Sequence, residues 1–221
     1  MTQALQAIDS GKDTKFVVVA HGYPVFGPSG AVKFSPLAHA VCDKVEELYK
    51  SGEVERIILL GGHDIPATLD ETIADRMKRQ LWHTRDVSPA FITTQNDFHE
   101  WKRYIAPRDL VEEVMLFVQL LDDLRIPKKT PIVSVIGDLW VPRAKHLYSE
   151  YGFSPTFAAV KGTYVWRQWW EEYMLRVLMW RNPLGTKSWG GRYLVGVRRA
   201  RTPRPIQIDM HALLHPKLWE I

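Results

Sequence analysis

Short runs rich in Val and Ile punctuate the chain. Phe16–Ala20, Ile57–Leu60 and Ile132–Ile136 are the clearest, with Ala90–Thr93 and Thr156–Val160 as weaker candidates. Runs of this length without polar alternation predict strands covered on both faces. Between them the apolar positions change to a helical period. Ser35-Pro36 supplies an N-cap and a first-turn proline, Leu37, Val41, Val45 and Leu48 follow at helical spacing, and Gly52 ends the helix. Thr68 and Glu71 have capping-box spacing ahead of Ile73, Met77 and Leu81. Pro107 opens a helix through Leu110, Val114, Val118 and Leu121, and Pro142 opens a shorter one that Gly152 ends.

Strands alternating with helices predict an α/β domain, a parallel sheet with helices on both faces. Its expected extent is residues 16–161, after an amino-terminal extension of residues 1–15. Ligands in such sheets sit beyond the carboxyl ends of the strands, near the point where strand order reverses. Three loops therefore claim attention: His21–Tyr23, Gly61–Asp64 and Gly137–Arg143.

Beyond Gly162 the pattern changes, and residues 162–221 are expected to form an aromatic helix and a basic extension on the same domain or on a partner. Trp166, Trp170, Tyr173, Met174 and Val177 share one helical face, with Trp169 and Trp180 near its border. Such a stripe predicts packing on the sheet or on a second copy, hence a homodimer through the Trp166–Trp180 helix. Tyr193–Val197 and Ile206–Ile208 are candidates for a terminal strand pair. The formal net charge is +4, and its excess lies here. Between Tyr173 and Ile208 there is no acidic residue, while Arg176, Arg181, Lys187, Arg192, Arg198, Arg199, Arg201 and Arg204 are basic. This segment suits nucleic acid, phosphate or another anionic surface, or the protein's own acidic face.

The single cysteine, Cys42, excludes an internal disulfide framework and any multi-cysteine metal site. It falls inside a helical pattern, as a small packed residue does. No apolar run is long enough to span a bilayer, and the first residues lack a secretory layout, so a cytoplasmic protein with no membrane partner is expected.

Several reaction classes lose their support at once. There is no G-x-S-x-G elbow to activate a serine, no G-x-x-x-x-G-K-[ST] phosphate loop and no G-x-G-x-x-G after the first strand. Two readings of the rim remain. His21, His63, Asp64 and Asp138 follow strands and have the donor types of a divalent-metal site, which would suit a metal-dependent hydrolase, although their spacing does not favour a metal. Alternatively, Gly61-Gly62 allows a small molecule close to the main chain, with Arg143 clamping its phosphate or carboxylate. Arg143 sits in a first helical turn, where the dipole disfavours a cation, so helix stabilisation does not explain it; an ion pair with a nearby carboxylate would.

The Gly-Gly turn, the segment Asp70-Glu71-Thr72-Ile73-Ala74 with Met77, and the stretch IVSVIGDLWVPRA at residues 132–144 together resemble the YdcF/SanA/ElyC family over roughly residues 16–160. The family's His and Thr in the last motif are replaced by Trp140 and Gly137. In its T-x-E-N-A segment Glu112 is retained while the Thr and Asn are lost. The resemblance implies a three-layer Rossmann-like fold, S-adenosylmethionine as a cofactor, and the soluble, YdcF-like branch. It adds Glu112 to the site.

The resulting expectation is a nucleotide-like ligand, S-adenosylmethionine or a phosphorylated nucleoside, at the strand-end rim. Gly22, Tyr23, Gly61, Gly62, Asp64, Asp138, Trp140 and Arg143 would bind it, Trp140 as a stacking surface. Group transfer or hydrolysis there would draw on Glu71, Glu112, His21 and His63 as acids, bases or ribose acceptors. The non-enzymatic alternative is a binding module whose basic Arg192–Arg204 segment holds nucleic acid or an acidic partner.

Overall fold

The structure is a computed structural model that describes residues 15–22, 24–26, 32–61, 72–94, 97 and 110–180. Its frame is a five-stranded sheet made of β1 (Phe16–His21), β4 (Val54–Leu60), β5 (Ile92–Thr94), β6 (Ile132–Gly137) and β7 (Thr156–Val160). The spatial order is β5-β4-β1-β6-β7, and every pairing is parallel. A separate antiparallel hairpin pairs β2 (Pro24–Phe26) with β3 (Val32–Phe34). It follows β1 where only a loop is expected from the Gly and Pro content.

Five helices are described: α1 (Pro36–Tyr49), α2 (Ile73–Arg85), α3 (Leu110–Asp123), α4 (Val141–Glu150) and α5 (Trp166–Trp180). α1 and α2 cover one face of the sheet, with Val18 and Ala20 of β1 packed among Val41, Val45, Met77 and Leu81. α3 and α4 cover the other, with Val17 and Val19 packed among Val114, Phe117 and Leu147. The expected three-layer α/β architecture is therefore present. Continuous apolar strands arise because β1 has a helical layer on both sides, and all six of its residues are buried.

Caps account for most of the boundaries. The Ser35 hydroxyl accepts the Ala38 N–H and starts α1. The start of α2 corrects the sequence register. Its capping box is Thr72 with Asp75, the Thr72 hydroxyl accepting the Asp75 N–H and the Asp75 carboxylate accepting the Thr72 N–H. Thr68 and Glu71 lie outside the described residues. Residues Pro89–Phe91 form a single 3₁₀ turn, so β5 starts at Ile92, later than expected. The expected start of α3 at Pro107, the strand pair at Tyr193–Val197 and Ile206–Ile208, and the basic Arg192–Arg204 segment also lie outside the described residues.

Cys42 is fully buried in α1, and burial pushes its thiol up to about 12, well away from a reactive thiolate. Among the described residues no helix is long and apolar enough to cross a membrane.

The aromatic stripe of α5 does not pack on the sheet of its own domain. Trp166, Trp169, Trp170, Tyr173 and Met174 face outward, with Trp166 79% and Tyr173 59% exposed. The side of α5 turned to the domain carries Glu172, which is 2% exposed. The Glu172–Arg143 ion pair and the edge contact of Trp169 on Tyr164 attach this helix.

Candidate functional site

Counting the parallel strands in chain order, the sheet reads 3-2-1-4-5, and its order reverses between β1 and β6. The carboxyl end of β1 is His21 and that of β6 is Gly137, so the strand ends from which the expected loops leave lie on one edge of the sheet, at its switch point.

His21 continues the alternation of Val17 and Val19 toward the α3/α4 layer. Its Nδ1 lies 2.7 Å from Oε2 of Glu113 on α3, and its Nε2 lies 3.1 Å from the Tyr148 hydroxyl on α4. All three residues are buried. Burial pushes the Tyr148 phenol far above its ordinary range, so it stays protonated. One hydrogen-bond pattern satisfies the whole chain: Tyr148 O–H donates to Nε2, and Nδ1–H donates to the Glu113 carboxylate. Both ring nitrogens are thereby engaged. The carboxylate falls in the first turn of α3, where the helix dipole favours a negative charge.

Glu112 is also buried, yet its neighbour Glu113 is the partner of His21. Glu113 and Tyr148 are absent from the sequence-based site. Tyr148 was legible as a core position, because Ala144, Leu147 and Tyr148 share one face of α4 and a buried phenol needs a hydrogen-bond partner.

Gly22 and Gly61 meet across β1 and β4. The Gly22 N–H donates to Leu60 O at 2.7 Å, and the Ala74 N–H of α2 donates to Gly61 O at 3.3 Å. A Cβ on Gly61 would stand 3.2 Å from the Gly22 Cα, and φ at Gly61 is +148°, a region open to glycine. A Cβ on Gly22 would run into the Ile73 side chain and reach 3.0 Å from Leu60 O. These two glycines let α2 close on the strand ends. Gly22→Ala is accordingly expected to cost roughly 1–3 kcal/mol, since a rigid neighbour must move. Urea unfolding measures this, and an unchanged midpoint would count against so close an approach.

At the end of β6, Asp138 Oδ1 accepts the Tyr164 hydroxyl at 2.6 Å and the Leu139 N–H at 3.1 Å. Burial first, and then the bond to Asp138, push the Tyr164 phenol up. Trp140 stands edge-on to Tyr164, with ring centroids 5.1 Å apart, and both rings crowd the space beside Gly137. The expected stacking surface is thus already engaged by Tyr164 on its edge-to-face side.

Arg143, 5% exposed in the first turn of α4, points its Nε at both carboxylate oxygens of Glu172, at 3.1 and 2.9 Å. The same carboxylate accepts Nε of Arg176 at 3.1 Å, and Arg176 also donates to the Leu139 carbonyl. Two guanidiniums therefore share one carboxylate beside the switch point. Nη1 of Arg143 is buried and has no hydrogen-bond partner. Such an orphaned donor is uncommon in a folded interior.

Tyr23, Gly62, His63, Asp64 and Glu71 lie outside the described residues. Among the described residues no group of three or more His, Cys, Asp and Glu side chains is placed to hold a metal ion. A metal at His21 would have to break a bond to Glu113 or Tyr148. Comparisons of the chain with models of protein families, with curated proteins and with solved structures find no match.

Proposed function

We propose that this protein binds a nucleotide-like small molecule carrying an anionic group, S-adenosylmethionine or a phosphorylated nucleoside, in the crevice between the carboxyl ends of β1 and β6. The observation that carries this reading is the Arg143 cluster. It holds two guanidiniums against one carboxylate, and one of its buried donors has no partner. A phosphate or carboxylate oxygen at Nη1 would satisfy that donor and neutralise the remaining positive charge. The position, directly after β6 at the reversal of strand order, is where ligands of open α/β sheets bind.

The YdcF-like resemblance belongs to the same proposal, with S-adenosylmethionine as its first candidate. Should the site support group transfer or hydrolysis, His21 is the proton acceptor of choice. Glu113 holds its Nδ1 proton, which leaves Nε2 as the basic atom once Tyr148 moves aside. The metal-dependent alternative draws no support from the engagement of both His21 nitrogens.

Isothermal titration with S-adenosylmethionine, its demethylated product and nucleoside mono-, di- and triphosphates tests the reading. Saturable heat with one of them is the expected result. Absence of heat with all of them up to about millimolar ligand, where the binding energy falls to roughly 4 kcal/mol, overturns it.

A further inference from the structure

We propose that the outward face of α5 seats this protein on the surface of an anionic lipid bilayer. This inference is independent of the ligand proposed above. α5 is held to the domain by Glu172 and Arg176 on one side. Trp166, Trp169, Trp170, Tyr173 and Met174 are thereby left on an exposed arc, with Val165 64% exposed just before the helix. Trp170 and Tyr173 stack on one another with centroids 6.0 Å apart, so the arc is a continuous apolar strip. A patch of this kind on a folded domain marks a contact surface.

Chemistry selects the occupant. Trp and Tyr prefer the boundary between lipid headgroups and acyl chains, where an apolar ring and a polar N–H or O–H are both accommodated. The chain that leaves α5 contains no acidic residue until Asp209 and carries Arg181, Lys187, Arg192, Arg198, Arg199, Arg201 and Arg204. An aromatic helical face joined to a basic segment is the composition of an interfacial anchor for anionic lipid. A single-stranded nucleic acid would require cations interleaved with the rings. Here Met174 and Val165 contribute aliphatic surface that bases do not use.

The test is co-sedimentation of the full chain with vesicles of phosphatidylcholine alone, or with about a third phosphatidylglycerol. The protein is expected to pellet with the anionic vesicles only, and less completely as salt rises. The combined variant Trp166→Ala, Trp170→Ala, Tyr173→Ala alters exposed residues and should fold, as circular dichroism would verify. It is expected to lower the vesicle affinity roughly tenfold or more. Trp82→Ala, at an exposed tryptophan on α2, should leave binding unchanged. Failure to pellet with either vesicle, or equal pelleting of the combined variant, overturns the proposal. So does a vesicle-free outcome in which the combined variant splits a dimer seen by light scattering, or abolishes binding to single-stranded DNA.

Discussion

Replacing His21 by alanine is expected to lower the stability of the folded chain by about 3 kcal/mol or more, since it deletes a buried ring together with its bonds to a buried carboxylate and a buried phenol. The imidazole is the middle of a three-member chain, so its loss removes the bonds to both Glu113 and Tyr148. It also empties the volume of a fully buried ring at the end of the central strand. Smaller changes rank the contributions. Glu113→Gln keeps the shape and an acceptor for Nδ1–H, at about 1–2 kcal/mol, and Tyr148→Phe removes one neutral hydrogen bond, at about 1 kcal/mol. Urea unfolding of the three variants provides the measurement. A His21→Ala loss below about 0.5 kcal/mol, within the range of an indifferent surface change, would mean that the network does not hold the rim together. The double variant His21→Ala, Glu113→Gln should destabilise by less than the sum of the single changes, because they remove the same bond.

That network also marks the limit of what the chain's pattern can disclose. Phe16–Ala20, Ile57–Leu60 and Ile132–Ile136 are legible as strands because two helical layers demand largely apolar residues, and their alternation with helices points to a parallel sheet, whereas the strand order comes only from the structure. β5 and the β2/β3 hairpin have three residues in each strand, too few to display a period. The start of α2 is ambiguous for a different reason. Thr68 with Glu71 and Thr72 with Asp75 have the same spacing one helical turn apart, and Ile73, Met77 and Leu81 present the same face in either register.

α5 misleads through a sound rule applied without its partner. Its aromatic period identifies a face, but which face docks is decided by Glu172, and the Arg143 that holds it lies 29 residues away. The site has the same difficulty on a larger scale. His21 meets Glu113 across 92 residues and Tyr148 across 127, and no local spacing encodes such contacts. Proximity to strand ends was enough to select His21 and Arg143, whereas their partners depended on the packing of α3, α4 and α5. Adjacent acids at Glu112 and Glu113 sharpen the point: a helix turns by roughly 100° per residue, so only packing decides which of them reaches the histidine.

Arg143 and Glu172 supply the second large effect, because changing either should move ligand affinity in opposite directions while lowering stability in both cases. Arg143→Ala removes the orphaned donor, leaves Glu172 with Arg176 as its cation, and cancels the excess positive charge of the cluster. Affinity for the anionic ligand identified by titration should fall about tenfold or more. Arg143→Lys keeps the charge without the planar guanidinium, and should recover only part of the loss. Glu172→Gln leaves both guanidiniums without their carboxylate, so an incoming anion meets a stronger field and should bind several-fold more tightly, most visibly at low salt. Glu172→Gln should cost about 3–5 kcal/mol, since it isolates the buried Arg143 charge, whereas Arg143→Ala, which leaves Glu172 paired with Arg176, should cost less. If the cluster served only to fasten α5 to the domain, both substitutions would destabilise the fold and neither would raise affinity. Titration of Glu172→Gln against the unchanged protein therefore separates a ligand role from a fastening role, and equal affinity in the two would assign Arg143 to fastening alone.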